Sequence, residues 1–100
     1  MKARLEFRAA ARAELDDAAD WYFDQDPLLR DRFVISVDRT ISFILKAPTS
    51  FPIVSGTMVR RALVRGFPYL VFYEFNDPIV TVLSVFHTSR NPIIWKGRIG

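Results

Sequence analysis

The chain has 100 residues, half of them hydrophobic and a quarter charged, with a formal net charge of +3. That size and composition fit one globular domain over residues 1–100 and exclude a two-domain chain or an apolar-poor disordered one. With no cysteine there is no disulfide, no thiol catalysis and no cysteine-ligated zinc.

Arg4-Leu5-Glu6-Phe7-Arg8 alternates charged and apolar residues, the period of a short half-buried strand with Leu5 and Phe7 on one face. From Ala9 the period lengthens. Leu15, Ala18, Ala19 and Tyr22 recur at helical spacing, while Glu14, Asp16, Asp17, Asp20 and Asp24 fall largely elsewhere, which predicts an amphipathic helix of roughly four turns. Its alanine-rich stripe lets a second helix approach closely. Asp26-Pro27 supplies the N-cap and the first-turn proline of that helix, and Leu29, Phe33, Val37, Ile41, Ile44 and Leu45 hold its register until Ala47-Pro48. A helical hairpin is expected.

Residues 48–57, with Pro48, Pro52, Ser55 and Gly56, read as a loop whose Phe51 and Ile53 want burial. Three β-rich runs follow, Met58 to Arg65, Tyr69 to Asn76 and Ile79 to His87, and the short turns between them predict an antiparallel meander. Ser89 to Gly100, containing Ile93-Ile94-Trp95, can fold back on the sheet as a short terminal segment. The expected class is α+β: an N-terminal strand, a helical hairpin and a three-stranded antiparallel meander in one sheet packed on the helices.

In Tyr69 to Phe75 and in Val82 to Phe86 both alternating faces are apolar, yet two helices cover only one face of a small sheet. The other face needs the terminal segment with Trp95, the loop around Phe51, self-association or another protein. Apolar runs reach about five residues, far below the roughly 20 that cross a bilayer, and Met1-Lys2-Ala3-Arg4 leads into no signal-like core, so a cytoplasmic location without a membrane partner is expected. Charge is unevenly spread. Residues 1–50 carry 8 basic and 9 acidic side chains and residues 51–100 carry 6 and 2, so an anionic partner would meet the second half.

His87, the single histidine, ends the last β run beside Thr88, Ser89 and Arg90. Metal-free RNA cleavage needs a base for the 2′-hydroxyl, an acid for the leaving oxygen and cations for the phosphate, which His87, Arg90, Arg61 and a tyrosine could supply. In the plainer reading His87 bonds a backbone carbonyl and ends the strand. The serines lack a G-x-S-x-G setting, and the four glycines, at 56, 66, 97 and 100, build no phosphate loop. Asp16, Asp17, Asp20 and Asp24 have no histidine among them and read as a solvated helix face, so neither metal nor cofactor is expected. Arg60 and Arg61 point to opposite sheet faces, Arg61 sharing its face with Arg65. These arginines either guard an edge strand or join Arg90, Trp95, Lys96 and Arg98 in a basic target-binding surface.

The element order and several phrases resemble the RelE/ParE superfamily of toxins from bacterial type II toxin–antitoxin modules over nearly the whole chain. The phrases are Ala13-Glu14-Leu15 with Ala18 and Tyr22, Arg32-Phe33, Phe51-Pro52 and Arg60-Arg61. More specific are Phe67-Pro68-Tyr69-Leu70-Val71-Phe72-Tyr73 and Val85-Phe86-His87-x-x-Arg90-x-Pro92-x-x-Trp95, which look most like the ParE-like, plasmid stabilisation branch. The resemblance implies a cytoplasmic toxin held in a hetero-oligomer by a cognate antitoxin, whose disordered tail folds over the helices and sheet. On this reading Leu15, Ala19, Tyr22, Leu70 and Phe72 are candidate antitoxin contacts.

RelE-like members cut messenger RNA on the ribosome, whereas ParE members are associated with inhibition of DNA gyrase without being nucleases. Where RelE-like nucleases commonly carry arginine after the third-strand tyrosine, this chain has Leu70, which cannot hold a phosphate; Trp95 stands near a position where tyrosine can occur. The expected function is therefore a toxin that binds its target, DNA gyrase. The alternatives are a ribosome-dependent endonuclease using His87 and Arg90 with Arg61, and a non-toxic binding module that keeps the antitoxin surface.

Overall fold

The computed structural model describes residues 3–89 and runs β1 (Arg4–Phe7), α1 (Ala9–Gln25), α2 (Pro27–Lys46), β2 (Arg60–Leu63), β3 (Tyr69–Asn76) and β4 (Ile79–His87). The hairpin forms where its signals stand. Asp26 Oδ1 accepts the Leu28 backbone N–H at 2.9 Å, with Pro27 opening α2, and α2 stops at Lys46 just before Pro48. Ala11, Ala18 and Ala19 are buried on α1 in one core with Phe33, Val37, Ile41 and Ile44 of α2.

The sheet order is β1-β4-β3-β2. Its last three strands form the expected antiparallel meander, but β1 pairs with β4 in parallel, from Arg4 opposite Ile79 to Phe7 opposite Val82. The sheet is therefore mixed. Parallel neighbours need a long connection between them, and the helical hairpin with the first part of the meander provides it. The β2 run is also shorter than its sequence suggested. Before it, Val54 N–H donates to Val59 O, and after it Val64 N–H reaches Tyr69 O across a turn whose Gly66 has φ +83°, so both ends of the run belong to turns.

The sheet buries both faces within the chain. On the helix side lie Ala62, Val64, Tyr69, Val71, Tyr73, Val80, Val82 and Val85; on the other, Val59, Phe72, Leu83 and Phe86 cluster with half-buried Val54 and Leu70 against them. Of the covers that the sequence left open for the second face, the chain itself suffices, because Phe72 and Phe86 are already sealed. The loop divides its labour differently from expectation. Phe51 packs on the helix-side core, edge-on to Tyr73, while Val54 serves the second cluster and Ile53 stays exposed, its backbone bridging Arg60. Phe7 tucks against the core, but its face-mate Leu5 is exposed on the edge strand. The terminal residues 90–100, including Arg90, Trp95, Lys96 and Arg98, lie outside the described residues.

Candidate functional site

Arg60 and Tyr73 are direct cross-strand neighbours on the helix side of the sheet, and both reach into the loop that precedes β2. The Arg60 guanidinium donates from Nη1 to Thr49 O at 3.1 Å and Phe51 O at 2.7 Å, and the Tyr73 hydroxyl donates to Pro48 O at 2.7 Å. Arg60 is thus an anchor for the loop. Burial pushes the Tyr73 hydroxyl up to about 12, with the Arg60 charge pulling weakly the other way. Arg61, by contrast, is exposed on the opposite face, opposite Phe72, and its backbone N–H donates to Pro52 O.

A groove of about 840 Å³ lies between α2 and the β2 edge. Arg32, Arg39 and Arg65 line it together with Ile35, Phe43 and Leu63, the last two each 62% exposed. Its end is fixed by Ser36, whose hydroxyl donates to Arg65 O at 2.6 Å. Guanidinium groups alternating with apolar side chains suit an acidic, partly apolar segment.

A second cavity, of about 810 Å³, lies between the C-terminal half of α1 and the ends of β3 and β4. Tyr22 and Tyr69 form its floor, Trp21 its mouth, and His87, Gln25 and Asp17 its polar wall. The rings meet edge to face: Trp21 and Tyr22 at 5.2 Å, Tyr69 and His87 at 5.1 Å between centroids. Desolvation and then the Tyr69 phenol raise the Tyr22 hydroxyl above its ordinary value. His87 Nδ1 accepts the Ser89 backbone N–H at 3.1 Å, so the strand-ending role foreseen for the imidazole involves a donor and not a carbonyl.

Of the residues proposed for phosphate chemistry, the two that are described, His87 and Arg61, do not converge. His87 is paired with Tyr69 on the helix side, while Arg61 is paired with Phe72 on the other face, three rows along and two strands across, roughly 10 Å in each direction from the strand spacings. Leu70 packs beside Phe72 and Phe86 in the apolar cluster. Among the described residues no three His, Asp or Glu side chains are placed to hold a metal, and no helix is long and apolar enough to cross a membrane.

The antitoxin-contact candidates sit deeper than a contact surface requires. Ala19, Tyr22 and Phe72 are buried, and Leu15 and Leu70 are half-buried against the two cores. The resemblance took them from the apolar pattern, and that pattern reports burial, whichever molecule does the burying. The exposed apolar residues it passed over are Trp21, Phe23, Leu28, Ile35 and Phe43, which lie on the outer faces of the two helices. A search for large apolar residues off the packing stripe would have found them.

A family model described as the ParE toxin of type II toxin-antitoxin system, parDE, matches residues 5–92. Among solved structures, one described as the chromosomal ParDE TA system from P. aeruginosa superposes with a TM-score of 0.77 at 14% identity, covering 88% of this chain and 98% of that one. That likeness is one of fold. No curated protein matches.

Proposed function

Because the chain belongs to the ParE toxin family of type II toxin–antitoxin systems, we propose that it acts in the cytoplasm by binding an essential target, DNA gyrase, and is neutralised by a cognate antitoxin. The observation that carries binding over cleavage is the placement of Leu70 and His87. An apolar side chain packed among Phe72 and Phe86 offers nothing to a phosphate, and His87 and Arg61 address different sides of the sheet. General acid–base chemistry needs its groups within hydrogen-bond reach of one reacting centre. Target contact is assigned to exposed Arg61 and to Arg65, with Arg90, Trp95 and Lys96 in the terminal segment; Arg60 is left to its loop.

The antitoxin surface is placed on the outer faces of the hairpin and in the groove beside β2. Exposed Ile35, Phe43 and Leu63 supply apolar area there, and Arg32, Arg39 and Arg65 supply positive charge. A segment that is disordered when free can lie along such a groove and gain apolar burial against its ordering entropy.

Expression of the chain alone in a bacterial host tests the reading. Growth arrest with DNA breaks, an SOS response and intact transcripts is expected, together with inhibition of gyrase supercoiling by the purified chain. Transcripts cut within codons would transfer the case to the endonuclease. Unimpaired growth with soluble protein would leave only a non-toxic binding module.

A further inference from the structure

The cavity at the end of α1 differs in chemistry from the basic groove. Among the described residues nine line it, with one carboxylate, Asp17, and no lysine or arginine. Aromatic rings supply half of the other lining residues: Trp21, 58% exposed at the mouth, Tyr22 and Tyr69 at the floor, and His87, whose Nδ1 accepts the Ser89 N–H. Around the mouth, α1 adds Asp16, Asp20 and Asp24 and has no basic residue in its last turn. Of these carboxylates only Asp16 is ion-paired among the described residues, to Arg12 at 3.6 Å. An aromatic box with a carboxylate at its side and a negative rim attracts a cation through ring quadrupoles and direct pairing together.

We propose that this cavity receives an arginine side chain of the antitoxin, its guanidinium lying against Trp21 and pairing with Asp17. Arginine fits better than lysine because a planar, weakly hydrated guanidinium can stack on an indole and meet a carboxylate in the same pose. The proposal rests on the antitoxin reading, since the antitoxin is the partner that family membership assigns. It adds that the partner's contact is bipolar: acidic where it follows the groove beside β2, basic where it crosses the end of α1.

The test uses the full chain and the antitoxin encoded beside it, with affinity measured by titration calorimetry. Trp21→Ala and Asp17→Asn are each expected to raise Kd by about tenfold. Glu6→Gln, at an exposed carboxylate on β1 away from the cavity and its rim, should change it by less than about twofold. Both cavity residues are exposed, so the variants should fold, which circular dichroism checks. In a second arm, acetyl-arginine-amide added to the free chain should shift the Trp21 indole N–H resonance saturably in the wild type and not in Asp17→Asn, whereas acetyl-glutamine-amide should not shift it. Unchanged affinity in both cavity variants would overturn the arginine assignment while leaving the antitoxin in place. An antitoxin that fails to bind the wild-type chain would instead bring down the antitoxin reading, and this assignment with it.

Discussion

Arg60 and Tyr73, facing each other across β2 and β3, grip three carbonyls of one loop: those of Pro48, Thr49 and Phe51. Backbone bonds hold the second half of this loop to the sheet, Arg61 N–H to Pro52 O and Val54 N–H to Val59 O, and the two side chains hold its first half, residues 48–51. The same loop then covers part of each face, with Phe51 on one core and Val54 on the other. The pair therefore ties the two sides of the sheet together through a segment without regular structure.

Removing either partner should destabilise the fold. Arg60→Ala loses two charge-assisted bonds and is expected to cost about 2 kcal/mol, and Tyr73→Phe loses one neutral bond at about 1 kcal/mol. Because both act on one loop, the double variant should cost measurably less than the sum. Urea unfolding of the four proteins checks this; strict additivity would mean that the two side chains hold independent segments.

The Tyr73 phenol also gives the fold an alkaline limit. Its hydroxyl ionises at about 12 in the folded chain against an ordinary value near 10, because burial disfavours the phenolate. With the folded value raised, the contribution is complete below about pH 10 and is lost as pH climbs toward 12, a fall on the order of 2 kcal/mol. Stability measured between pH 9 and 12 should decline more steeply for the wild type than for Tyr73→Phe, and phenolate absorbance should lag behind that of the unfolded chain.

The helical hairpin was legible because its signals are local: Asp26-Pro27 at the start of α2, Pro48 at its end, and a 3.6-residue apolar period between. The parallel partner of β1 was not, since alternation in Arg4–Phe7 says that a strand exists and nothing about which strand it joins or in what direction. Arg60 shows the same limit at the level of a side chain. Strand alternation put it on the face opposite Arg61, but its carbonyl partners come from a loop whose path no periodicity describes. Trp21 and Phe43 were missed for a different reason. They lie off the packing stripe, where a search for the core does not look.

Glu14 gives the Ala13-Glu14-Leu15 phrase a structural reason. Between Phe72 and Tyr73 the register of β3 with β4 slips, so that Phe72 faces Ser84 and Tyr73 faces Val82, with Leu83 as the extra residue of a bulge. Glu14 Oε1 accepts the Ser84 hydroxyl at 3.0 Å and the Val85 backbone N–H at 3.2 Å, fastening α1 to this irregular point of the sheet. Glu14→Ala withdraws an acceptor from both donors and is expected to cost about 2–3 kcal/mol, whereas Glu14→Gln keeps an acceptor oxygen and should cost about 1. Thermal melts rank the two variants; equal losses would show that the carboxylate charge, and not its acceptor geometry, does the fastening.

His87 and Arg61 give opposite forecasts for toxicity under the two mechanisms. In a cleaving enzyme the imidazole would move a proton, and its loss would lower the rate by roughly 10²–10⁴-fold. In a binding toxin, His87→Ala changes a side chain remote from the face that carries Arg61, and growth arrest should persist at the same inducer concentration. Arg61→Ala instead removes an exposed guanidinium from that face while its backbone bond to Pro52 O remains, so the fold should hold. Target affinity should then weaken by about tenfold, the range for a cationic contact at an interface. Arrest assayed across an inducer series separates the two, because a shift confined to the His87 variant requires a proton-transfer role that the sheet geometry does not favour.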